Sequence, residues 1–187
     1  MSWKRLFVIS GFLTASLLLY IFGYNRFGYY YRPKTKPTSQ IPLIKEPEKI
    51  DVSLYFSSID GGYLVKEVRE IDKKEDIISQ ARLAVQELIK GPKTNLCRTI
   101  PGGTKLRALY FDSGTAYLDF SPELQKNHCG GSNGELCTIF SIVNTLTLNF
   151  KEIKKVKLMI NGQEVETLCG HIGLSRPFSQ NLSLIKQ

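Results

Sequence analysis

The sequence predicts an α+β domain, in which three β-hairpins form an antiparallel-rich sheet and two amphipathic helices pack on it, in the order ββαββαββ. Paired stretches of alternating apolar and polar residues, separated by turn residues, are typical of hairpins. Two longer stretches carry apolar residues at spacings of three and four, which indicates helices with one buried face. Since hairpin strands are antiparallel and both helices need a sheet face to cover, these patterns together predict one α+β layer.

Each hairpin is predicted from residue alternation on both sides of a turn that contains glycine. The strand pairs span residues 52–57 and 63–71, 106–110 and 115–120, and 156–160 and 163–167. In the third pair, the turn is Asn161-Gly162, a dipeptide that favours a type I′ turn.

Two helices are predicted between the hairpins. The first has its apolar residues on one side, from Ile77 to Leu88, and Gly91-Pro92 ends it. Its exposed side carries Arg82, Gln86 and Glu87. The second runs from Ser132 to about Leu148, and its apolar stripe consists of Leu136, Ile139, Phe140, Val143 and Leu146.

Ser132 and Glu135 have the three-residue spacing of a capping box at the start of the second helix. In this motif the serine hydroxyl accepts a hydrogen bond from the backbone N–H of Glu135, and the carboxylate accepts one from the N–H of Ser132. The alternative is an anionic ligand at the helix N-terminus, with Gly130 and Gly131 giving access to the backbone. The capping box is preferred because it explains all four residues without a ligand.

A long apolar run precedes the predicted domain. Residues 6–24 contain no charge and are long enough, at about 1.5 Å per residue, to span a hydrocarbon core of about 30 Å. No small-residue cleavage site follows them, which favours an uncleaved anchor over a signal peptide. The predicted organisation is an N-terminal tail (1–5), a transmembrane anchor (6–24), a proline-rich juxtamembrane linker (25–50), the domain (51–178) and a C-terminal tail (179–187).

The formal net charge of +8 belongs mainly to the N-terminal region. Residues 1–50 carry 8 Lys/Arg and 2 Asp/Glu, whereas residues 51–187 carry 17 and 15. A basic segment beside an anchor is expected to contact anionic lipid head groups. The domain itself shows no basic footprint of the kind that binds nucleic acid, so no nucleic-acid partner is predicted.

The domain contains four cysteines, an even number compatible with two disulfides in any of three pairings. They are Cys97, Cys129, Cys137 and Cys169. Because disulfides persist in oxidising compartments, they favour a domain outside the cytoplasmic membrane. The positive charges favour a cytoplasmic domain instead. The segment that follows the anchor carries more Lys and Arg than the segment before it, which contains Lys4 and Arg5, and basic flanks tend to stay in the cytoplasm.

Other uses of the cysteines are weaker predictions. Zinc would need ligands from His128, His171 and the thiols, but no C-x₂-C pair is present. A cysteine nucleophile paired with a histidine has no third group to orient it. No metal or cofactor is therefore predicted. The candidate binding residues are Ser132, Glu135, Asn144 and His171, although Asn144 and His171 are also explained as satisfied, partly buried polar groups.

Six short blocks occur in a fixed order along the domain. They are ELIKGP at 87–92, IPGGTKL at 100–106, AYLDFS at 116–121, GGSNGEL at 130–136, IVNTLT at 142–147 and VETLCGHI at 165–172. Together they resemble the GerMN domain of sporulation and spore germination proteins and of other bacterial envelope proteins. The resemblance covers about residues 52–177. It implies a secreted or membrane-tethered α+β domain, similar to ring-building modules, that acts through protein contacts and for which no catalytic residues are established. The four cysteines depart from the family's usual residues.

These observations predict a membrane-tethered, non-enzymatic interaction or scaffold module of the bacterial cell envelope, related to sporulation or germination. Its expected partners are other envelope proteins or a second copy, bound along sheet edges. One alternative is a domain that binds or hydrolyses cell-wall material through Ser132, Glu135 and His171. The other is a metal or redox module built on the cysteines.

Overall fold

The computed structural model describes residues 16–26 and 47–186, and the chain divides into two units, residues 1–45 and 46–187. In the first unit, residues 16–26 form helix α1, whose large apolar side chains are exposed. No helix within the described residues is both long and apolar enough to cross a membrane. The N-terminal part of the predicted anchor at 6–24, the predicted tail at 1–5 and most of the predicted linker at 25–50 lie outside the described residues.

The second unit contains two small sheets. Strands β1 (Lys49–Ser57) and β2 (Leu64–Asp72) form a two-stranded antiparallel sheet. Strands β3 (Leu106–Asp112), β4 (Thr115–Phe120) and β5 (Lys155–Ile160) form a three-stranded sheet in that order. β3 and β4 are antiparallel, whereas β4 and β5 are parallel.

Three helices connect these strands. Helix α2 spans Ile77–Lys90, the short helix α3 spans Glu123–Lys126 and helix α4 spans Ser132–Asn149. One core cluster contains buried residues from all five strands and all three helices. The predicted α+β class and the predicted helices α2 and α4 are therefore confirmed.

Within residues 47–186, the structure differs from the prediction in having two sheets and in lacking the third hairpin. Gln163 makes one isolated bridge to Ile160, and residues 164–167 are not a strand. The turn is instead held against β4, because the N–H of Asn161 donates to the carbonyl of Phe120 (2.9 Å) and the N–H of Gly162 donates to Asp119 Oδ1 (2.7 Å). The chain after this turn leaves the sheet.

Helix α4 is buried beyond its apolar stripe. Thr138, Ser141, Asn144 and Thr145 on its polar side are at most 1 % exposed, because each bonds to a neighbouring segment. Two residues predicted on the apolar stripe, Leu136 and Phe140, are only half-buried. α4 is thus the central helix of the domain, and its hydroxyl and amide groups satisfy the elements around it.

The predicted C-terminal tail is anchored to the domain at two points. Asn144 Nδ2 donates to the carbonyl of Asn181, and the N–H of Asn181 donates to Asn144 Oδ1, both at 2.9 Å. Further on, Ile185 forms a parallel bridge with Leu64, and the N–H of Lys186 donates to the Leu64 carbonyl at 2.9 Å. The tail therefore covers the start of β2.

Candidate functional site

Helix α4 starts without the predicted capping box. Gly131 is the N-cap residue, and no side chain caps the helix. Ser132 is exposed, whereas the Glu135 side chain is fully buried and bonds to residues 168–171. The prediction was wrong because this loop offers the carboxylate several N–H donors, whereas Ser132 would offer one.

Both carboxylate oxygens of Glu135 accept hydrogen bonds from this loop. Oε1 accepts from the N–H groups of Leu168 (2.8 Å) and Cys169 (3.1 Å), and Oε2 accepts from that of His171 (3.0 Å). Burial opposes ionisation of Glu135, but the hydrogen bonds from these N–H groups outweigh it and lower the pKa of the carboxyl below its usual value. The ionised carboxylate of Glu135 therefore connects α4 to the loop through these hydrogen bonds.

The structure brings together two of the four predicted candidate residues. His171 Nδ1 lies 3.3 Å from Glu135 Oε2, and 42 % of the His171 side chain is exposed. Ser132 is exposed at the first turn of α4, and Asn144 lies in the middle of the helix, where it holds the tail. Because Glu135 is fully buried and already accepts three N–H groups, it is not placed to take a proton from a bound substrate.

His128 is held in its neutral form beside the start of α4. Its Nδ1 accepts from the N–H of Gly130 (3.0 Å), and its Nε2 lies 2.9 Å from Thr138 Oγ1. The Thr138 hydroxyl donates to the carbonyl of Thr99 (2.6 Å), so it accepts from His128 Nε2–H. Burial lowers the pKa of His128, in agreement with this neutral tautomer.

All four cysteines are free thiols in the structure, and they surround the start of α4. Cys97 and Cys129 are exposed, Cys137 is buried and Cys169 is half-buried. The first three of these line one cleft of about 320 Å³. Among the described residues, no group of three or more His, Cys, Asp or Glu side chains could hold a metal ion.

The outer side of β1 is covered by other parts of the domain. The N–H of Ser53 donates to Asn149 Oδ1 (2.8 Å), and Asn149 Nδ2 donates to the Ser53 carbonyl (2.7 Å). The N–H of Tyr55 donates to Thr145 Oγ1 (3.3 Å), and Ser57 exchanges two backbone bonds with Cys97. This strand edge is not available to another chain.

The outer side of β2 is open over most of its length. Backbone groups of alternate strand residues point to the same side, and the Leu64 carbonyl points outward to the tail. The backbone groups of Lys66, Val68 and Glu70 therefore point outward too, and within the described residues they have no hydrogen-bond partner. A groove of about 410 Å³ follows this edge, with Lys49, Lys93 and Thr94 among the residues that line it.

A buried ion pair fixes β2 to the end of α2. Arg69 Nε donates to Glu67 Oε1 (2.8 Å), and the guanidinium also donates to the Glu87 carbonyl (3.0 Å) and lies 5.4 Å from the ring centre of Phe56. Burial raises the pKa of Glu67, but hydrogen bonds from Thr94, Arg69 and Lys93 outweigh this and lower it to about 2. The open edge of β2 therefore belongs to a strand that is bonded to the end of α2.

Comparison with known proteins identifies the family. The sequence profile of the family Germane, described as sporulation and spore germination, matches residues 53–166, more than half of the chain. The chain belongs to the Germane family. The predicted resemblance to GerMN domains is thereby confirmed, whereas a comparison with curated protein sequences gave no match.

Several solved structures are similar to this chain in sequence and fold. The first GerMN domain of the sporulation protein GerM from Bacillus subtilis is 29 % identical, with a TM-score of 0.58 over 70 % of this chain and 97 % of that one. The tandem GerMN domains of the same protein give 27 % identity and a TM-score of 0.59, with 71 % of this chain and 46 % of that one covered. This chain thus spans less than half of the tandem structure. A putative lipoprotein from Clostridium perfringens is 29 % identical, with a TM-score of 0.52 over 70 % of this chain and 87 % of that one.

Two blocks of this Germane domain contain side-chain hydrogen bonds to distant segments that the sequence analysis did not find. In ELIKGP, Glu87 was predicted to be exposed, but it is half-buried and bonded to Arg69. In GGSNGEL, Glu135 holds a loop more than thirty residues away. For the contact of Glu87 with Arg69, the sequence did contain one indication. Glu67 and Arg69 occupy the same face of β2 as buried Ile71. Opposite charges on a buried face predict an ion pair.

Proposed function

We propose that this protein is a membrane-tethered, non-enzymatic interaction module of the bacterial cell envelope, and that another envelope protein or a second copy adds a strand to the open edge of β2. The observation that carries the proposal is the row of outward backbone groups at Lys66, Val68 and Glu70, which have no hydrogen-bond partner within the described residues. An edge of this kind pairs with an extended segment of another chain.

The side chains along β2 fit this use. The Val68 side chain is 52 % exposed and supplies an apolar contact, whereas Lys66 and Glu70 on either side are exposed charges. Main-chain hydrogen bonds would provide affinity, and the alternation of charge and apolar surface would provide register. The other edge of the same sheet is covered by α4 and Cys97, so β2 is the edge of this sheet that remains for a partner.

Tethering is supported by the sequence and by one relative. Residues 6–24 are uncharged and are followed by a basic, proline-rich segment. The similar protein from Clostridium perfringens is described as a putative lipoprotein, which is also a membrane-attached class. A sporulation or germination setting follows from the family. The non-enzymatic role is supported by the buried position of Glu135, whose oxygens already accept three backbone N–H groups.

The test is site-specific photocrosslinking of the full chain in its native membrane. A crosslinker that replaces Lys66 is expected to capture one defined partner, either a second copy or another envelope protein. Val68→Pro removes an outward N–H without removing a bond to β1, because Val68 faces Ser53 in a pair that does not exchange backbone bonds. The capture is expected to fall at least tenfold in this variant.

Matched controls make the result specific to the strand edge. Val68→Thr keeps the N–H and is expected to keep the capture, and a crosslinker at exposed Lys151, in the turn after α4, is expected to give none. Thermal unfolding shows whether Val68→Pro still folds. Equal capture from positions 66 and 151, or full capture by a folded Val68→Pro variant, would contradict binding at β2.

A further inference from the structure

Cys97 and Cys137 both lie beside residues 57–61, at the end of β1 and the turn that follows it. Ser57 and Cys97 exchange two backbone hydrogen bonds of 3.1 and 2.8 Å, so their side chains stand on the same face of this strand pair, with Cα atoms about 5.5 Å apart. The Cys137 thiol lies 3.8 Å from the carbonyl oxygen of Gly61, in the turn that follows Ser57. Both cysteines line the same cleft.

Cys129 and Cys169 both lie at the first turn of α4, beside Gly134 and Glu135. Cys129 Sγ lies beside Gly134 of this turn, 3.6 Å from the point where a Cβ on that residue would stand. Glu135 keeps Cys169 at this position by accepting its N–H at 3.1 Å. The two cysteines therefore lie beside consecutive residues of α4, Gly134 and Glu135.

We propose that these thiols are the sites of two disulfides, Cys97–Cys137 and Cys129–Cys169, which form when the domain meets a disulfide oxidant outside the cytoplasm. Cys97 and Cys137 both contact residues 57–61 and line one cleft, so they form one pair, and of the three pairings that four cysteines allow this leaves Cys129 with Cys169. Each bridge would fasten the uncapped start of α4 to a segment about forty residues away in the chain. The pairing does not depend on any partner at β2.

Each pair contains one accessible and one less accessible thiol. Cys97 and Cys129 are exposed, whereas Cys137 is buried and Cys169 is half-buried. Burial raises the pKa of Cys137, and burial together with the charges of Glu135 and Cys129 raises the pKa of Cys169. The exposed cysteine of each pair is therefore the one that attacks first.

The chemistry is thiol–disulfide exchange with an external disulfide such as oxidised glutathione. The thiolate of Cys97 or Cys129 attacks one sulfur of the oxidant, forms a mixed disulfide and releases one thiol. The thiolate of Cys137 or Cys169 then attacks the protein sulfur and releases the second thiol. For each bridge, two protein thiols are oxidised, one external disulfide is reduced, and the two thiol protons pass to the two released thiols.

Peptide mapping of the full chain tests the pairing. The protein is treated with oxidised glutathione, alkylated, denatured and digested with trypsin together with a protease that cleaves after glutamate. Cleavage after Glu135 separates Cys129 from Cys137, which otherwise share one tryptic peptide. We expect the Cys97 peptide to be linked to the Cys137 peptide, and the Cys129 peptide to the Cys169 peptide. Either of the other two pairings, or four alkylated thiols after oxidation, would overturn the proposal.

Thermal unfolding provides an independent measurement. The oxidised chain is expected to lose roughly 10 °C or more in Tm when reductant is added, because each bridge restricts the unfolded chain over a loop of about forty residues. Cys129→Ser/Cys169→Ser should retain the Cys97–Cys137 link and about half of this loss. A Tm unaffected by reductant in the oxidised wild-type chain would contradict the bridges, and the mapping of the wild type needs no variant to fold.

Discussion

Glu135 is the single side chain that joins the start of α4 to residues 168–171. In Glu135→Gln, the amide oxygen can replace one carboxylate oxygen, but the amide NH₂ would face N–H groups that have lost their acceptor. We expect a loss of about 2–4 kcal/mol in the free energy of unfolding, since buried donors are left unpaired. Urea unfolding of the wild type and variant measures it.

Glu166 offers a matched control for this substitution. Its side chain is exposed and lies just before the same loop, so Glu166→Gln should change the free energy of unfolding by less than about 0.5 kcal/mol. Protection of the N–H groups of Leu168, Cys169 and His171 from hydrogen exchange should fall in Glu135→Gln alone. Equal free energies of unfolding in the two variants would show that the Glu135 carboxylate does not hold residues 168–171 to α4.

Sequence reasoning found Glu135 but not its partners, for a physical reason. A capping box is a local pattern, so it can be recognised from residues 132–135 alone, whereas the N–H groups that Glu135 binds belong to Leu168, Cys169 and His171. No spacing rule connects positions so far apart. The same limit applies to Asn144, whose type suggested a satisfied polar group but whose partner, Asn181, lies 37 residues away.

At the scale of elements, apolar periodicity predicted α2, α4 and the first two hairpins, because a buried face repeats at 3.6 or 2 residues. It could not give the direction of β5, since alternation is the same in parallel and antiparallel strands. The turn at Asn161-Gly162 favoured a hairpin, but two hydrogen bonds to β4 hold that turn and the chain leaves the sheet. Tertiary contacts outside the local pattern decided the topology.

The end of α2 depends on Gly91. Its φ of 89° is unfavourable for any residue with a Cβ, and a Cβ there would lie 2.6 Å from Arg98 Nη2. Arg98 caps α2 by donating to the carbonyls of Ile89 (2.5 Å) and Lys90 (2.7 Å). We expect Gly91→Ala to lower the free energy of unfolding by about 2–3 kcal/mol, through backbone strain and loss of this cap. Chemical denaturation measures the change.

Gly102→Ala is the control for this prediction, because a Cβ at Gly102 would meet no atom within 4 Å and its φ is not positive. It should change stability by less than about 0.5 kcal/mol. Comparison of the double variant Gly91→Ala/Arg98→Ala with Arg98→Ala isolates the backbone strain, since both variants lack the Arg98 cap and the clash. If Gly91→Ala costs as little as Gly102→Ala, the end of α2 is not constrained as described.

At the scale of the whole molecule, buried and half-buried ionisable groups connect the segments of the domain, and their pKa values make its stability depend on pH. The pKa of His128 is lowered from 6.5, and those of Glu135 and Glu67 are lowered from 4.5. In each case the unfolded chain binds a proton at a higher pH than the folded chain does. The stability that these groups contribute is therefore present above the unfolded pKa and is lost as the pH falls through the folded one.

We expect the free energy of unfolding to decline in two stages as the pH falls. The first, smaller decline begins below pH 6.5, because protonated His128 can no longer accept the N–H of Gly130 at Nδ1. The second begins below pH 4.5, when the unfolded chain takes up protons at Glu135 and Glu67. Urea unfolding between pH 3 and 8 measures both declines.

Two variants test the assignment of the first stage to His128. His128→Gln should abolish this stage, whereas His171→Gln, which leaves His128 in place, should retain the contribution of His128. A first stage that persists unchanged in His128→Gln would contradict the assignment, because the domain contains only these two histidines.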